Sequence, residues 1–195
     1  MSGTPPGPPQ HGAVLLAAGA SSRLGRPKQL LEIEGEPLLR RAARALLASE
    51  PFELVIVLGH DAERIGAVLD GLPIRRAFAA DHAEGMSAAL RAGIAALDAR
   101  CAGALVALTD QPALEASHLL ALRDAWRNAP QRAVASRYAG VAGVPALLPH
   151  AWFADLLALR GDTGARALLR ARGSEVTLLE APTLALDIDL PRHLP

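Results

Sequence analysis

The chain alternates short apolar runs with longer segments in which apolar residues recur every three or four positions. Short apolar runs are typical of strands buried on both faces, and they lie at 13–18, 52–59, 74–79 and 102–110. The helical spacing predicts helices at 36–49, 61–72, 86–99 and 115–128. Because strands and helices alternate, we expect a Rossmann-like three-layer α/β/α fold with a mostly parallel mixed sheet.

The pattern is less regular after residue 130. We expect strands in "RAVASRY" and "VTLLEA", helices at 149–158 and 163–172, and a final strand at 183–190. Residues 1–12 are rich in Pro and Gly, which predicts a disordered tail. Residues 13–195 are then expected to form a single domain.

Composition excludes several classes of protein. The 20 Lys and Arg residues balance 20 Asp and Glu residues, so the net charge gives no general attraction to nucleic acid. The single cysteine, Cys101, excludes a disulfide framework and is predicted to lie in the core. No stretch reaches the roughly 18 consecutive apolar residues of a membrane span, and residues 1–12 lack a secretory signal pattern. We therefore expect a cytoplasmic protein without nucleic-acid or membrane partners.

Small residues and cations follow the first predicted strand, in "AAGASSRLGRPK" at 17–28. The spacing fits neither the Walker A loop nor the glycine pattern of dinucleotide-binding folds. Small residues let backbone N–H groups approach an anion, Ser21 and Ser22 add hydroxyl donors, and Arg23 and Lys28 add positive charge. These residues favour a phosphate-binding loop. The alternative is an ordinary strand-to-helix turn with solvated cations.

Carboxylates lie at two further positions of interest. Asp110 ends the strand predicted at 102–110, at the sheet edge where ligands of parallel α/β folds bind, and a carboxylate there could hold Mg²⁺ beside substrate phosphates. From the residues alone, a cap for the following helix explains Asp110 equally well. Asp187 and Asp189 share one face of the final predicted strand, where they form either a metal site or a polar strand end.

Several stretches together resemble one known family. L-A-A-G-A-S-S-R-L-G-R-P-K-Q-L-L at 16–31 resembles the signature loop of the molybdenum cofactor (molybdopterin) nucleotidyltransferases, with Leu24 where Met is usual. "LTDQP" at 108–112 and "DID" at 187–189 are similar to two other elements of that family. The resemblance implies Lys28, Arg23 and Asp110 as catalytic residues and an Mg²⁺ ion held by Asp110 and Asp189. It also implies that the loop binds the nucleotide through Ala17, Ala18, Gly19, Ser21, Ser22, Arg23 and Lys28.

Three shorter stretches extend the resemblance. "DHAEGMSAALRAGI" at 81–94 is similar to a family segment that carries Trp at the position of His82. That match implies that Gly85 and Ser87 bind the nucleotide. "GVP" at 143–145 and "RGDTGARALL" at 160–169 resemble two more family elements. The acceptor-binding residues implied by these matches are His82, Gly161, Asp162 and Arg166.

The resemblance implies a single nucleotidyltransferase domain over 13–195 that transfers CMP from CTP to the terminal phosphate of the molybdenum cofactor and releases pyrophosphate. L-A-A-G looks like the cytidylyl-transferring branch, whereas the guanylyl-transferring branch more often has L-A-G-G. Two alternatives stay open: a related transferase that uses GTP or another phosphorylated acceptor, and a non-catalytic nucleotide-binding module in cofactor maturation. The implied partners are proteins that mature molybdenum hydroxylases.

Overall fold

A seven-stranded mixed sheet forms the centre of the protein. The computed structural model describes residues 7–19 and 26–186. The strands are β1 (His11–Leu16), β2 (Glu32–Ile33), β3 (Glu36–Pro37), β4 (Leu54–Leu58), β5 (Arg75–Phe78), β6 (Gly103–Leu108), β7 (Ala133–Tyr138), β8 (Val141–Pro149) and β9 (Val176–Glu180). The sheet has the order β5-β4-β1-β6-β8-β7-β9, and β2 pairs with β3 in a small separate hairpin.

Most neighbouring strands of the sheet are parallel. β1 pairs in parallel with β4 and β6, β4 with β5, and β7 with β9. β8 runs antiparallel to both β6 and β7. The central strands are continuous apolar runs because helices cover both of their faces. The predicted mostly parallel mixed sheet is confirmed.

The helices form two layers, one on each face of the sheet. They are α1 (Leu38–Leu47), α2 (Ala62–Ala67), α3 (Met86–Ala96), α4 (Ala116–Asn128), α5 (Phe153–Ala158) and α6 (Ala165–Ala171). Alternate side chains of β1 pack against the two helix layers. Ala13 and Leu15 pack in the core with α1, α2 and α4, whereas Val14 and Leu16 pack in the core with α3, α5 and α6.

The chain reverses its direction of travel across the sheet at β1. From β1 it moves outward to β4 and β5, and then it crosses to β6 on the other side of β1. A crevice opens at such a reversal, beyond the carboxyl ends of the two central strands, and ligands of open α/β sheets bind there. The segments after β1 and β6 therefore lie at the position that the sequence predicted for a ligand.

The last part of the chain contradicts one prediction. Residues 183–190 were expected to form a strand, but Pro182–Ala185 is a 3-10 helix, and 187–190 lie outside the described residues. Proline fixes the first residue of that turn, and the Leu184 amide donates to the Ala181 carbonyl at 3.0 Å. β8 was not predicted as a strand from the sequence.

The other predicted elements are present, with ends that differ by a few residues. β1 begins at His11, two residues before the predicted start, and 1–6 of the predicted tail lie outside the described residues. Cys101 is buried as predicted. Within the described part of the chain, none of the helices combines the length and the apolar character needed to cross a bilayer.

Candidate active site

A cleft with two lobes lies beyond the carboxyl ends of β1 and β6. The smaller lobe, which we call the β1 lobe, has a volume of about 240 Å³. The larger, which we call the α6 lobe, has a volume of about 720 Å³. The lining shared by both lobes consists of Leu16, Lys28, Met86, Leu108, Asp110 and Asp162. The two cavities thus meet at a wall that carries one cation and two carboxylates.

An ion pair between Lys28 and Asp110 stands at this wall. Lys28 Nζ lies 2.5 Å from Asp110 Oδ2, and the side chains are 21% and 15% exposed. Lys28 begins the 3-10 turn Lys28–Leu30, and Asp110 comes two residues after β6, so the fold brings together side chains 82 positions apart. Partial burial strengthens the attraction relative to a pair in water.

The second oxygen of Asp110 finds no donor within the described part of the chain. Asp110 Oδ1 is buried and has no hydrogen-bond partner among the described residues. Such an orphaned acceptor costs about 1–3 kcal/mol, which a bound donor or cation would recover. Mg²⁺ commonly binds through one or two carboxylates together with substrate phosphates, so Asp110 fits a divalent cation. The described residues contain no group of three or more His, Cys, Asp or Glu that could hold a metal alone.

Two buried polar side chains set the position of this pair. Gln29 Nε2 donates to the carbonyls of Ala17 and Gly19 at 2.9 and 2.8 Å. Thr109 Oγ1 donates to the Leu16 carbonyl at 3.0 Å and so joins the end of β6 to the end of β1. Sequence reasoning missed both residues, because a Gln between Lys28 and Leu30 and a Thr at a strand end carry no pattern of their own.

Gln111 anchors the other side of Asp110 to β8. Its Nε2 donates to the Val144 carbonyl at 3.0 Å, and that carbonyl also accepts the Tyr138 hydroxyl at 2.8 Å. The Val144–Pro145 peptide is cis. Gln111, Tyr138 and Val144 all line the α6 lobe. The family-like elements "LTDQP" and "GVP" are therefore in contact with each other beside this lobe.

The α6 lobe also carries exposed cations. Arg166 and Arg170 lie four residues apart, and therefore on one face of α6, and both line the lobe. The Arg166 guanidinium is 6.0 Å from the centroid of the Tyr138 ring. Arg166, which the resemblance implies as an acceptor-binding residue, therefore lines the larger lobe, and Arg170 was not singled out from the sequence.

Most of the other predicted residues that the structure describes line the β1 lobe. Ala17, Ala18, Gly19, Gly85 and His82 line the β1 lobe. His82, predicted to bind the acceptor, lines the β1 lobe and not the α6 lobe, and its Nδ1 lies 3.2 Å from the Ala79 carbonyl oxygen. Ser21, Ser22, Arg23 and Asp189 lie outside the described residues.

Ser87 and Gly161 line neither lobe. Ser87 is fully buried, and its hydroxyl donates to Glu84 Oε1 at 3.3 Å. The Gly161 amide donates to the same oxygen at 3.0 Å. Hydrogen bonds from Arg91 and Gly161 lower the pKa of Glu84 to about 2, so this carboxylate is ionised throughout the neutral range. Ser87 and Gly161 therefore help to join the loop before α3 to the loop before α6 through Glu84.

Comparison with known proteins agrees with this geometry. A family model described as the MobA-like NTP transferase domain matches residues 13–176. Nicotine blue oxidoreductase of Paenarthrobacter nicotinovorans is 35% identical over 176 residues, which covers 86% of this chain and 85% of the relative. Purine catabolism protein PucB of Bacillus subtilis is 29% identical, with 81% and 80% covered. The bifunctional protein GlmU of Rhodococcus opacus is 36% identical, but this chain spans only 26% of its length.

Solved structures extend the comparison to the fold. The crystal structure of Rv0371c from Mycobacterium tuberculosis H37Rv superposes with a TM-score of 0.79 at 28% identity, over 94% of this chain and 95% of that chain. A second structure of Rv0371c, at 26% identity with the same coverage and TM-score, is a complex with manganese. A nucleotidyl transferase from Methanothermobacter has a TM-score of 0.79 at 23% identity, with 94% of both chains covered. The chain therefore belongs to the MobA-like NTP transferase family, and it is a nucleotidyltransferase.

Proposed function

We propose that this nucleotidyltransferase moves CMP from CTP to the terminal phosphate of the molybdenum cofactor in the cytoplasm. The observation that carries the proposal is the convergence of Lys28 and Asp110 at a wall between two lobes. A transferase must hold two substrates on opposite sides of the phosphorus that is transferred, and two adjoining lobes offer that arrangement.

The β1 lobe suits the nucleotide. Its wall includes the backbone of 17–19, whose small residues let an anion approach closely. Lys28 Nζ would offset charge on the triphosphate. Arg23 and the two serines are assigned to the triphosphate by their motif positions. When bound, a divalent cation would neutralise phosphate charge beside Asp110, with Asp189 as its second carboxylate.

The α6 lobe suits the acceptor, because it is the larger lobe and carries Arg166. An oxygen of the acceptor's phosphate attacks the α-phosphorus of CTP and forms a new P–O bond. The bond between the α-phosphorus and the oxygen that bridges to the β-phosphate breaks, and pyrophosphate leaves with that electron pair. The attacking oxygen is already ionised near neutral pH, so the protein needs no general base and contributes positioning and positive charge.

The choice of CTP rests on L-A-A-G at 16–19, which resembles the cytidylyl branch of the family. GTP and other phosphorylated acceptors are the alternatives, as is nucleotide binding without catalysis. The name of the P. nicotinovorans relative describes an oxidoreductase, so one arm of the assay offers nicotinamide nucleotides and follows their absorbance.

The experiment is a pyrophosphate-release screen with the wild-type chain. CTP, GTP and ATP are each offered with Mg²⁺ or Mn²⁺, with and without molybdenum cofactor released from a molybdoenzyme. We expect release that needs CTP, a divalent ion and the acceptor together, with a cytosine dinucleotide cofactor in the product. Nucleotide binding by calorimetry without any product would support the non-catalytic module, and turnover with GTP alone would overturn the cytidylyl assignment.

A further inference from the structure

Two loops meet edge to edge beside the cleft. The first, 79–86, follows β5 and brings His82 and Gly85 to the β1 lobe. The second, 159–164, precedes α6 and brings Asp162 to the wall shared by both lobes and Thr163 and Gly164 to the α6 lobe. A Cβ atom added to Gly85 would lie 2.8 Å from Asp162 Cα, so no side chain fits between the two backbones.

Hydrogen bonds fasten the loops at this contact. Glu84 Oε1 accepts the Gly161 amide at 3.0 Å, and the Ser87 amide donates to the Gly161 carbonyl at 3.3 Å. The Met86 amide lies 3.4 Å from Asp162 Oδ1. Glu84 is therefore the side chain of the first loop that holds the backbone of the second.

Arg91, on α3, completes the contact. Its guanidinium forms a two-pronged ion pair with Glu84, with Nη2 2.5 Å from Oε2 and Nη1 3.0 Å from Oε1. Nη1 also donates to the Leu159 carbonyl at 2.7 Å. Charge-assisted pairs of this geometry are stronger and more directional than neutral hydrogen bonds. We call Glu84 and Arg91, with their bonds to the second loop, the clasp.

The two loops depend on the clasp to different degrees. The first loop has its own support: the Ala79 amide donates to the Leu58 carbonyl at 2.9 Å, and the Glu84 amide to the Asp81 carbonyl at 2.8 Å. In the second loop, the bonds that reach another part of the chain run to Glu84, Ser87, Met86 and Arg91. Loss of the clasp should therefore loosen 159–164, which would keep only the bonds from Ser87 and Met86, and leave the first loop in place.

We propose that Glu84 and Arg91 are positioning residues that fix the acceptor lobe, through Gly161 and Asp162, relative to the bound nucleotide. This inference rests on the proposed function, since it assigns the acceptor to the α6 lobe. Neither residue lines the β1 lobe or the α6 lobe, so both act through the loop that they hold.

The kinetic test compares Glu84→Gln and Arg91→Lys with the wild type, using CTP, Mg²⁺ and released molybdenum cofactor. A displaced acceptor loop should raise the KM for the acceptor about tenfold to a hundredfold, with the KM for CTP nearly unchanged. Glu180→Gln is the matched control, because Glu180 forms an exposed ion pair with Arg137 that lines neither lobe, and its loss should change neither KM. A purely structural role would instead lower stability and disturb both KM values together.

The second measurement does not depend on catalysis. Amide hydrogen exchange of 159–164 should be faster in Glu84→Gln than in the wild type, while exchange of β1 and β6 is unchanged. If the wild type transfers no nucleotide, the proposed function is wrong, and the exchange of 159–164 still decides whether the clasp orders this loop. If the wild type is active but Glu84→Gln keeps a normal KM for the acceptor, or if its loop exchanges at the wild-type rate, the positioning role is overturned.

Discussion

The two lobes of the cleft are built in different ways. The β1 lobe is supported by the ends of two parallel central strands, and buried Gln29 and Thr109 hold its loop to their backbones. The α6 lobe is supported by antiparallel β8 and by a loop that depends on the Glu84–Arg91 clasp. The part of the site assigned to the nucleotide is thus held by parallel strands of the sheet, whereas the part assigned to the acceptor also rests on a loop outside the sheet.

The largest effect should come from the wall between the lobes. Lys28→Ala removes the positive charge beside Asp110, and the loss of a charge aimed at a transferring phosphoryl group lowers turnover by about 10²- to 10³-fold. Steady-state pyrophosphate release measures the effect. Arg26→Ala is the matched control, since Arg26 is an exposed cation of the same segment that lines neither lobe.

Equal losses in Lys28→Ala and Arg26→Ala would mean that the segment acts through its general charge. Normal turnover in Lys28→Ala would remove the lysine from the mechanism. Either result would mean that the β1 lobe does not owe its role in catalysis to the position of Lys28.

The sequence predicted the β1 side of the cleft better than the α6 side, for a physical reason. Asp110 and the backbone of 17–19 closely follow apolar strands, so the parallel sheet brings them to one edge, and Gln29 holds the segment of Lys28 there. β8 and its contact with Gln111 depend on an antiparallel pairing that no periodicity reveals, because "GVP" interrupts the strand pattern. The clasp joins Glu84 to residues 77 positions away, and no local signal connects them.

The next effect separates the lobes directly. Arg166→Ala should raise the KM for the acceptor about tenfold to a hundredfold, because a hydrogen bond to a charged group contributes about 1.5–3 kcal/mol, and the KM for CTP should change little. Arg64→Ala is the control, since Arg64 pairs with Asp61 at the surface and lines neither lobe. A selective rise in the KM for CTP would mean that the substrates occupy the opposite lobes.

A smaller effect should follow from loosening the support of the β1 lobe. Gln29→Met keeps the volume of the side chain but leaves the Ala17 and Gly19 carbonyls without this donor. The unfolding free energy should fall by about 1–3 kcal/mol, and the KM for CTP should rise while that for the acceptor stays constant. Denaturant unfolding and the two KM values measure this. Unchanged stability together with an unchanged KM for CTP would show that the strands alone fix the loop.

The smallest effect concerns pH and distinguishes the sheet from the clasp. Burial, with lesser contributions from Arg127 and Arg123, lowers the pKa of His11 in β1 from 6.5 to about 4. Between these values the unfolded chain binds more protons than the folded chain, so stability is complete above pH 6.5 and falls as the pH drops toward 4, by at most about 1.4 kcal/mol per pH unit. The pKa of Glu84 is lowered from 4.5 to about 2, so the contribution of the clasp to stability is lost only below about pH 4.5, outside the measured range. Denaturant unfolding from pH 7 to pH 4.5 should show a shallower decline of the unfolding free energy in His11→Phe than in the wild type. The phenylalanine ring retains the packing against Trp126. An equally steep decline in both proteins would assign the loss of stability to other groups.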